Sequence, residues 1–193
     1  ASLNNLGDGI LNVEFHSSKK PKMQPIDSSI LKIINFGLDL IENDTFKGMV
    51  IGHQGANFCV GADLNLILNL SKNKEWEKLN FVIKSLQDTT QRIRFSKGPI
   101  VATPFQLTLG GGVEIIQPCC HIMAAAETYM GLVEVAVGLI PGGGGNLRMI
   151  LNALSSDTND TTFQKIQKIF ETIGFAKTSN NAFEAKKIGL IRH

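Results

Sequence analysis

Twice this chain interrupts an apolar run with a glycine turn and then restarts with helical spacing: at "FCVGADL" (58–64) and at "LTLGGGVEI" (107–115). In the longer stretch "LTLGGGVEIIQPCC" (107–120), three glycines, Gly110–Gly112, are followed by Glu114 and further aliphatic residues. Glycine costs backbone entropy, and a carboxylate among aliphatic neighbours risks desolvation. A chain that accepts both at one point must need close backbone approach there. Strand, glycine turn, helix start is the pattern that delivers it. The unpaired N–H groups and partial positive charge of a helix N-terminus suit a developing negative charge. If both turns face one cavity, an N–H from each could pinch a single carbonyl oxygen as an oxyanion hole. Taken singly, each turn reads equally as a tight strand-to-helix connection. Neither turn is a G-x-G-x-x-G dinucleotide fingerprint, and "GGGGNLR" (142–148) lacks the G-K-[ST] of a phosphate loop.

The acids add chemistry to the turns. Glu114 and Glu134, the latter inside "GLVEVAVGL", are each the only charge in their stretch. A buried, isolated carboxylate has its pKa raised, as proton transfer near neutral pH requires. A lone glutamate in an apolar run is as readily a satisfied structural acid, but two beside two glycine turns point to a site.

The alternating stretch 10–16 and the short apolar runs at 48–55, 98–105 and 120–126 read as strands. Helical spacing over 28–43, with Asp27 or Ser28 as N-cap, and over 74–95, 161–175 and 180–188 completes an alternation of short buried strands and helices. Pro118 is placed to end the short helix after the glycine triplet. The 193 residues suffice for one domain with a real core. A net charge of +2 gives no basic surplus for nucleic acid or an anionic membrane, and no apolar run reaches the ~20 residues of a membrane span. The three cysteines, Cys59, Cys119 and Cys120, lack zinc-ligand spacing and read as buried thiols of a reducing, cytoplasmic setting. The start has neither the charged nor the apolar region of a signal peptide and no initiator Met. With the abrupt end, this reads as a piece of a larger protein. His53 and the helical series Trp76, Leu79, Ile83 read as structural packing, Asp63 as a helix cap, and Lys72, Lys74 and Lys78 as a solvated face.

The segments "GDGILNVEFH", "NFCVGADL", "GPIVATPFQLTLGGGVE", "YMGLVEVAVGLIPGGGG" and "AFEAKKIGLI", in this order, resemble the crotonase, or enoyl-CoA hydratase/isomerase, superfamily from about Leu6 to Ile191. The resemblance implies an α/β fold with a crotonase-like (ββα)n superhelix, or spiral, core over 1–193, without the family's usual C-terminal helical segment. It implies backbone oxyanion donors at Ala62 and Gly111, catalytic acids at Glu114 and Glu134, and a water-positioning amide at Gly142. Contacts to coenzyme A would come from Lys22, Met23, Val60, Asp63 and Leu64. It implies hydration of a trans-2-enoyl-CoA, with the coenzyme A thioester as substrate and no tightly bound cofactor. Isomerases of the family commonly need one acid at the Glu134 position and hydratases need both, so hydratase leads. The alternatives are an isomerase or a non-catalytic acyl-CoA-binding domain.

Phe105 and Gln106 stand where typical members carry Asn-Gly. The wording around them is closer to the hydratase region of fused 3-hydroxyacyl-CoA dehydrogenase/enoyl-CoA hydratase proteins. That implies an oligomeric or multidomain setting, NAD only in a separate dehydrogenase domain, and a thiolase as partner. The polar stretch 151–178 would be a surface insertion.

Overall fold

The computed structural model describes residues 1–17, 20–156 and 158–192. Eight strands occur in chain order: β1 (Ser2–Gly7), β2 (Ile10–Glu14), β3 (Gly48–Ile51), β4 (Cys59–Val60), β5 (Ile100–Ala102), β6 (Gln106–Leu109), β7 (His121–Ile122) and β8 (Thr128–Gly131). Seven helices accompany them: α1 (Ser28–Glu42), α2 (Leu64–Lys72), α3 (Trp76–Arg94), α4 (Gly111–Ile116), α5 (Gly145–Leu154), α6 (Thr162–Gly174) and α7 (Ala182–Lys187). A 3-10 helix covers Glu134–Val137.

The strands form two sheets. The larger has the order β1-β2-β3-β5-β7, parallel except for the antiparallel edge pair β1–β2. Crossover connections make a parallel sheet buried, and its strands show it: Val13, Ile51 and Ala102 have no exposed surface. The edge strand β1 escapes the sequence pattern because "SLNNLG" carries no buried residue. One face of α1 closes this core through Ile30, Ile34, Leu38 and Ile41. The helix starts where expected, with the Asp27 carboxylate accepting from the Ser29 and Ile30 amides. Arg92 on α3 reaches Asn35 and Asp39 of α1 and ties the two helices together.

The smaller sheet, β4-β6-β8, is wholly parallel and carries the site. Its register sets Cys59 beside Thr108 and Thr108 beside Met130, so all three strands end level. Backbone beyond the C-terminal ends of parallel strands is where open α/β sheets present ligand-binding groups.

Three sequence expectations are corrected. Cys59 and Cys119 are buried, but Cys120 is exposed, because it follows the end of α4 and only its thiol turns inward to the Ile100 carbonyl. Trp76 is 57% exposed and Ile83 is exposed as well, so α3 packs through Thr89, Thr90 and Ile93 rather than through the Trp76 series. The 151–178 stretch is not merely a polar surface insertion, since α6 lies within it, opens with a capping box at Thr161–Gln164 and buries Ile169 and Thr172. Asp157 of that stretch and Lys19 of the loop before α1 lie outside the described residues.

Candidate active site

The two glycine turns meet. β4 and β6 are neighbours, so Gly61–Ala62 and Gly110–Gly111 leave the sheet side by side. A Cβ built on Gly111 would stand 3.8 Å from the Ala62 nitrogen. Among the described residues neither the Ala62 nor the Gly111 amide has a hydrogen-bond acceptor. Two free donors at adjacent turns, one of them opening a helix, are what an oxyanion requires. The turn itself explains Gly112: a Cβ there would be 2.6 Å from the Cys59 carbonyl oxygen, so any side chain would push the start of α4 away from β4. Around it Phe58, Cys59, Val113, Ile115 and Ile116 are fully buried, while Leu107 and Leu109 are half-buried. These apolar residues keep the floor of the site dry and strengthen any hydrogen bond made there.

Both acids arrive at this point. Glu114, in the first turn of α4, is 3% exposed. Its Oε1 accepts from the Gly143 amide at 2.8 Å and the Gly145 amide at 2.9 Å. Burial raises its pKa, and the amides of Gly145, Gly143 and Gly144 oppose the rise by stabilising the anion. Two glycines of "PGGGG", Gly143 and Gly145, are thereby explained. A Cβ on Gly143 would stand 2.7 Å from Glu114 Oε2, so only glycine lets the loop wrap the carboxylate this tightly. Glu134 enters from the 3-10 helix after β8. Its Oε1 would be 3.2 Å from a Cβ on Gly110, which sets it against the oxyanion turn. Its Oε2 is buried without a partner. Burial first, and then the charge of Glu114, push its pKa up to about 7. The two carboxyl groups therefore sense each other across one small volume, beside two free amides.

The residues expected at a coenzyme A channel lie together on the outer side of β4. The Val60 amide donates to the Met23 carbonyl at 2.8 Å, and the Asn57 side chain donates to the Lys22 carbonyl, also at 2.8 Å. Asp63 caps α2 by accepting from the Asn65 amide, and its contact with Lys20 Nζ at 3.0 Å holds its carboxyl below the usual range. Lys22, Met23 and Leu64 are exposed beside the Ala62 turn, and α2 buries no residue at all.

Gly142 is placed in the loop around Glu114, but its own amide is not among the donors to that carboxylate; Gly143 and Gly145 are. His53 is structural. Its Nε2 lies 2.8 Å from the Phe58 carbonyl oxygen and its ring packs between Phe15, Phe58 and Phe105. This cluster also accounts for Phe105. Gln106 adopts φ +48, the left-handed region that a glycine at this point would enter freely. Sequence reasoning missed Gln87 and Thr90 of α3, which bind the carbonyls of the glycine loop. Their spacing on an amphipathic helix gives no signal of it.

The model of the enoyl-CoA hydratase/isomerase family matches residues 19–172. The chain is 44% identical over its whole length to a Bacillus subtilis protein named "Probable 3-hydroxyacyl-CoA dehydrogenase", of which it covers 23%. It is 30% identical over 142 residues to the fatty acid oxidation complex subunit alpha of Idiomarina loihiensis, covering 70% of this chain and 19% of that protein. The chain thus spans about a fifth to a quarter of the length of these curated relatives. Among solved structures, the enoyl-CoA hydratase of Bacillus anthracis superposes with a TM-score of 0.80 over 98% of this chain and 67% of that one. At 21% identity that likeness establishes the spiral α/β fold.

Proposed function

The chain belongs to the enoyl-CoA hydratase/isomerase family, and from that premise we propose that it hydrates trans-2-enoyl-CoA thioesters to 3-hydroxyacyl-CoA in fatty-acid β-oxidation. The observation that carries this reading is the pairing of a buried and a half-buried carboxylate with contrasting surroundings, Glu114 and Glu134, beside two amides without acceptors among the described residues. The substrate thioester oxygen takes the Ala62 and Gly111 N–H groups, which are stronger donors to an enolate than to a neutral carbonyl. Glu114, whose anion is stabilised by backbone N–H groups, removes a proton from water as the water oxygen bonds to C3. The C2=C3 electron pair moves toward the thioester, and C2 then takes a proton from Glu134, whose pKa of about 7 lets it hold one at neutral pH. One proton exchanged between the glutamates, or through water, restores the starting state. Loss of one oxyanion donor would cost about 3–4 kcal/mol of transition-state stabilisation.

Gly142 would orient the attacking water from the loop that wraps Glu114. Lys22, Met23, Val60, Asp63 and Leu64 would line the coenzyme A channel, with no tightly bound cofactor required. We infer that such a domain, 1–193, works within a cytoplasmic multifunctional protein beside a 3-hydroxyacyl-CoA dehydrogenase that uses NAD, with a thiolase as partner; what supports this reading is that the chain covers only 19–23% of relatives named for β-oxidation functions. Among the described residues no helix is long and apolar enough to cross a membrane.

Isomerisation is the second reading, favoured by one feature. Glu134 has a buried carboxyl oxygen without a partner at the site, and a single base suffices to carry a proton from C2 to C4. Crotonyl-CoA hydration, followed by loss of the conjugated thioester absorbance, decides between them against a 3-enoyl-CoA of matched length. Hydration faster than isomerisation supports the hydratase. The reverse order replaces it with the isomerase, and thioester binding with neither turnover would leave a binding domain.

A further inference from the structure

Three successive peptide units wrap Glu114: the first and third donate hydrogen bonds to it, and all three have their carbonyl ends occupied. In the first, the Gly143 N–H donates to Glu114 Oε1 at 2.8 Å while the Gly142 carbonyl accepts from Gln87 Nε2 at 2.8 Å. In the second, the Gly144 N–H bears on the same carboxylate, and the Gly143 carbonyl lies 2.9 Å from the Thr90 hydroxyl. In the third, the Gly145 N–H donates to Oε1 at 2.9 Å while the Gly144 carbonyl accepts the Arg148 amide in the first turn of α5. The last of these is ordinary helix geometry. The first two depend on side chains from α3. Among the described residues no other donor reaches the Gly142 or Gly143 carbonyl.

We propose that Gln87 and Thr90, one turn apart on α3, are positioning residues that fix two peptide planes of the glycine loop so that their N–H groups face the Glu114 carboxylate. Four glycines in a row have the widest backbone freedom a chain can have, so nothing in the loop itself selects this orientation. A peptide whose oxygen accepts a hydrogen bond is also a stronger donor through its N–H, which couples each α3 side chain to the carboxylate through a single amide. Thr90 is 4% exposed and its one hydroxyl proton lies between the Gly143 and Gln87 carbonyls. The Gln87 carbonyl sits in the helix interior with an intrahelical donor available, whereas the Gly143 carbonyl has none, so the proton is worth more on Gly143. Neither side chain touches the space where substrate would react; each acts through Glu114.

The inference rests on geometry for its spectroscopic arm and on the reading of Glu114 as a catalytic carboxylate for its kinetic arm. The test compares Gln87→Leu and Thr90→Val with Thr90→Ser, which keeps the hydroxyl. The side-chain carboxyl carbon of Glu114 is followed by 13C NMR through a pH titration, its resonance assigned with Glu114→Gln. The charged group facing Glu114 is Glu134 on the 3-10 helix, so the titration is repeated with Glu134→Gln present; from α3 the loop meets neutral Leu86, Gln87 and Thr90. Both Gln87→Leu and Thr90→Val are expected to move the Glu114 titration to higher pH. They should lower kcat for crotonyl-CoA about tenfold with little change in KM, and Thr90→Ser should restore both. A Glu114 titration unchanged in both variants overturns the proposal whatever the kinetics show. A shifted titration in the variants, alongside a wild type that turns over no enoyl-CoA, upholds the positioning role and sinks the hydratase reading instead. Gln87 is exposed, so Gln87→Leu carries the test even where the buried Thr90→Val lowers the yield of folded protein.

Discussion

Glu114 and Glu134 each stand alone in an apolar stretch of sequence, yet the fold surrounds the first with backbone donors and leaves an oxygen of the second with none. Both feel burial as the main upward pressure on their pKa. What separates them is the glycine loop, whose Gly143 and Gly145 amides bond Glu114, while Glu134 has its neighbour's repulsion opposed only by its own backbone amide. The difference teaches how one small volume holds an acid and a base at the same pH. Backbone amides oppose the rise that burial imposes on the wrapped carboxylate, whereas burial and its neighbour's charge push the unpartnered one up to about 7.

The widest break in this comparison comes from removing each charge in turn. Glu114→Gln and Glu134→Gln should each lower kcat for enoyl-CoA hydration by about 10²- to 10⁴-fold, with the double variant far short of the product because the two act as a unit. Steady-state rates on crotonyl-CoA check this. Loss confined to Glu134→Gln would dissolve the two-acid scheme in favour of a single proton carrier.

A smaller perturbation attacks only the wrapping. Gly143→Ala places a methyl where 2.7 Å separates it from Glu114 Oε2 and from Leu86, neither of which can move far. Thermal melts should show a loss of about 1–3 kcal/mol, and the rate should fall about tenfold or more. Unchanged kinetics would mean that the carboxylate does not need its amides.

The pH dependence of stability sharpens the contrast further. Glu134 titrates near 7 in the folded protein, above its ordinary 4.5, so its contribution to stability is complete below about 4.5 and is lost as pH rises through 7. Replacing it with Gln should therefore stabilise the fold at pH 8 by roughly 1–3 kcal/mol, discounted for its partial exposure, and by almost nothing at pH 4.5. Urea melts at the two pH values measure the difference. An equal gain at both would show that packing, not charge, is responsible.

The mildest change serves as a control on β6, the strand that leads into the Glu114 turn. Gln106→Gly relieves a left-handed φ of +48 at the cost of a weak contact with Glu127, and should change stability by no more than about 1 kcal/mol, toward greater stability. A marked loss would reveal that the side chain, not the backbone, is what matters there.

Much of this was legible in the residues because glycine turns and isolated acids are local signals. The turn at Gly61, the triplet at Gly110–Gly112, both glutamates, the helices and the alternation of the parallel strands all stand in short windows of sequence. The rest depends on contacts that no window contains. Thr90 and Gly143 meet across 53 positions, and a threonine on the packed side of an amphipathic helix looks like any other. β1 lacks the alternation of a strand because its burial pattern is that of a solvent-facing edge. Cys120 reads as buried beside Cys119, but consecutive residues past a helix end point in different directions, and only one of them meets the core.

The level ending of β4, β6 and β8 bears on how the proposed activity would arise as the chain folds. Ala62, Gly111 and Glu134 each follow a different strand of that sheet, and the pairings Cys59–Thr108 and Thr108–Met130 join parts of the chain that are remote in sequence. Such non-local contacts form late, because loop closure must precede any return from them. A slip of one residue in any strand would turn its side chains to the opposite face and carry its share of the site out of line. The larger sheet and α1 could be complete while the molecule remained inert. Turnover is therefore a stricter gauge of refolding than helix content, since it reports that three strands have found one register together.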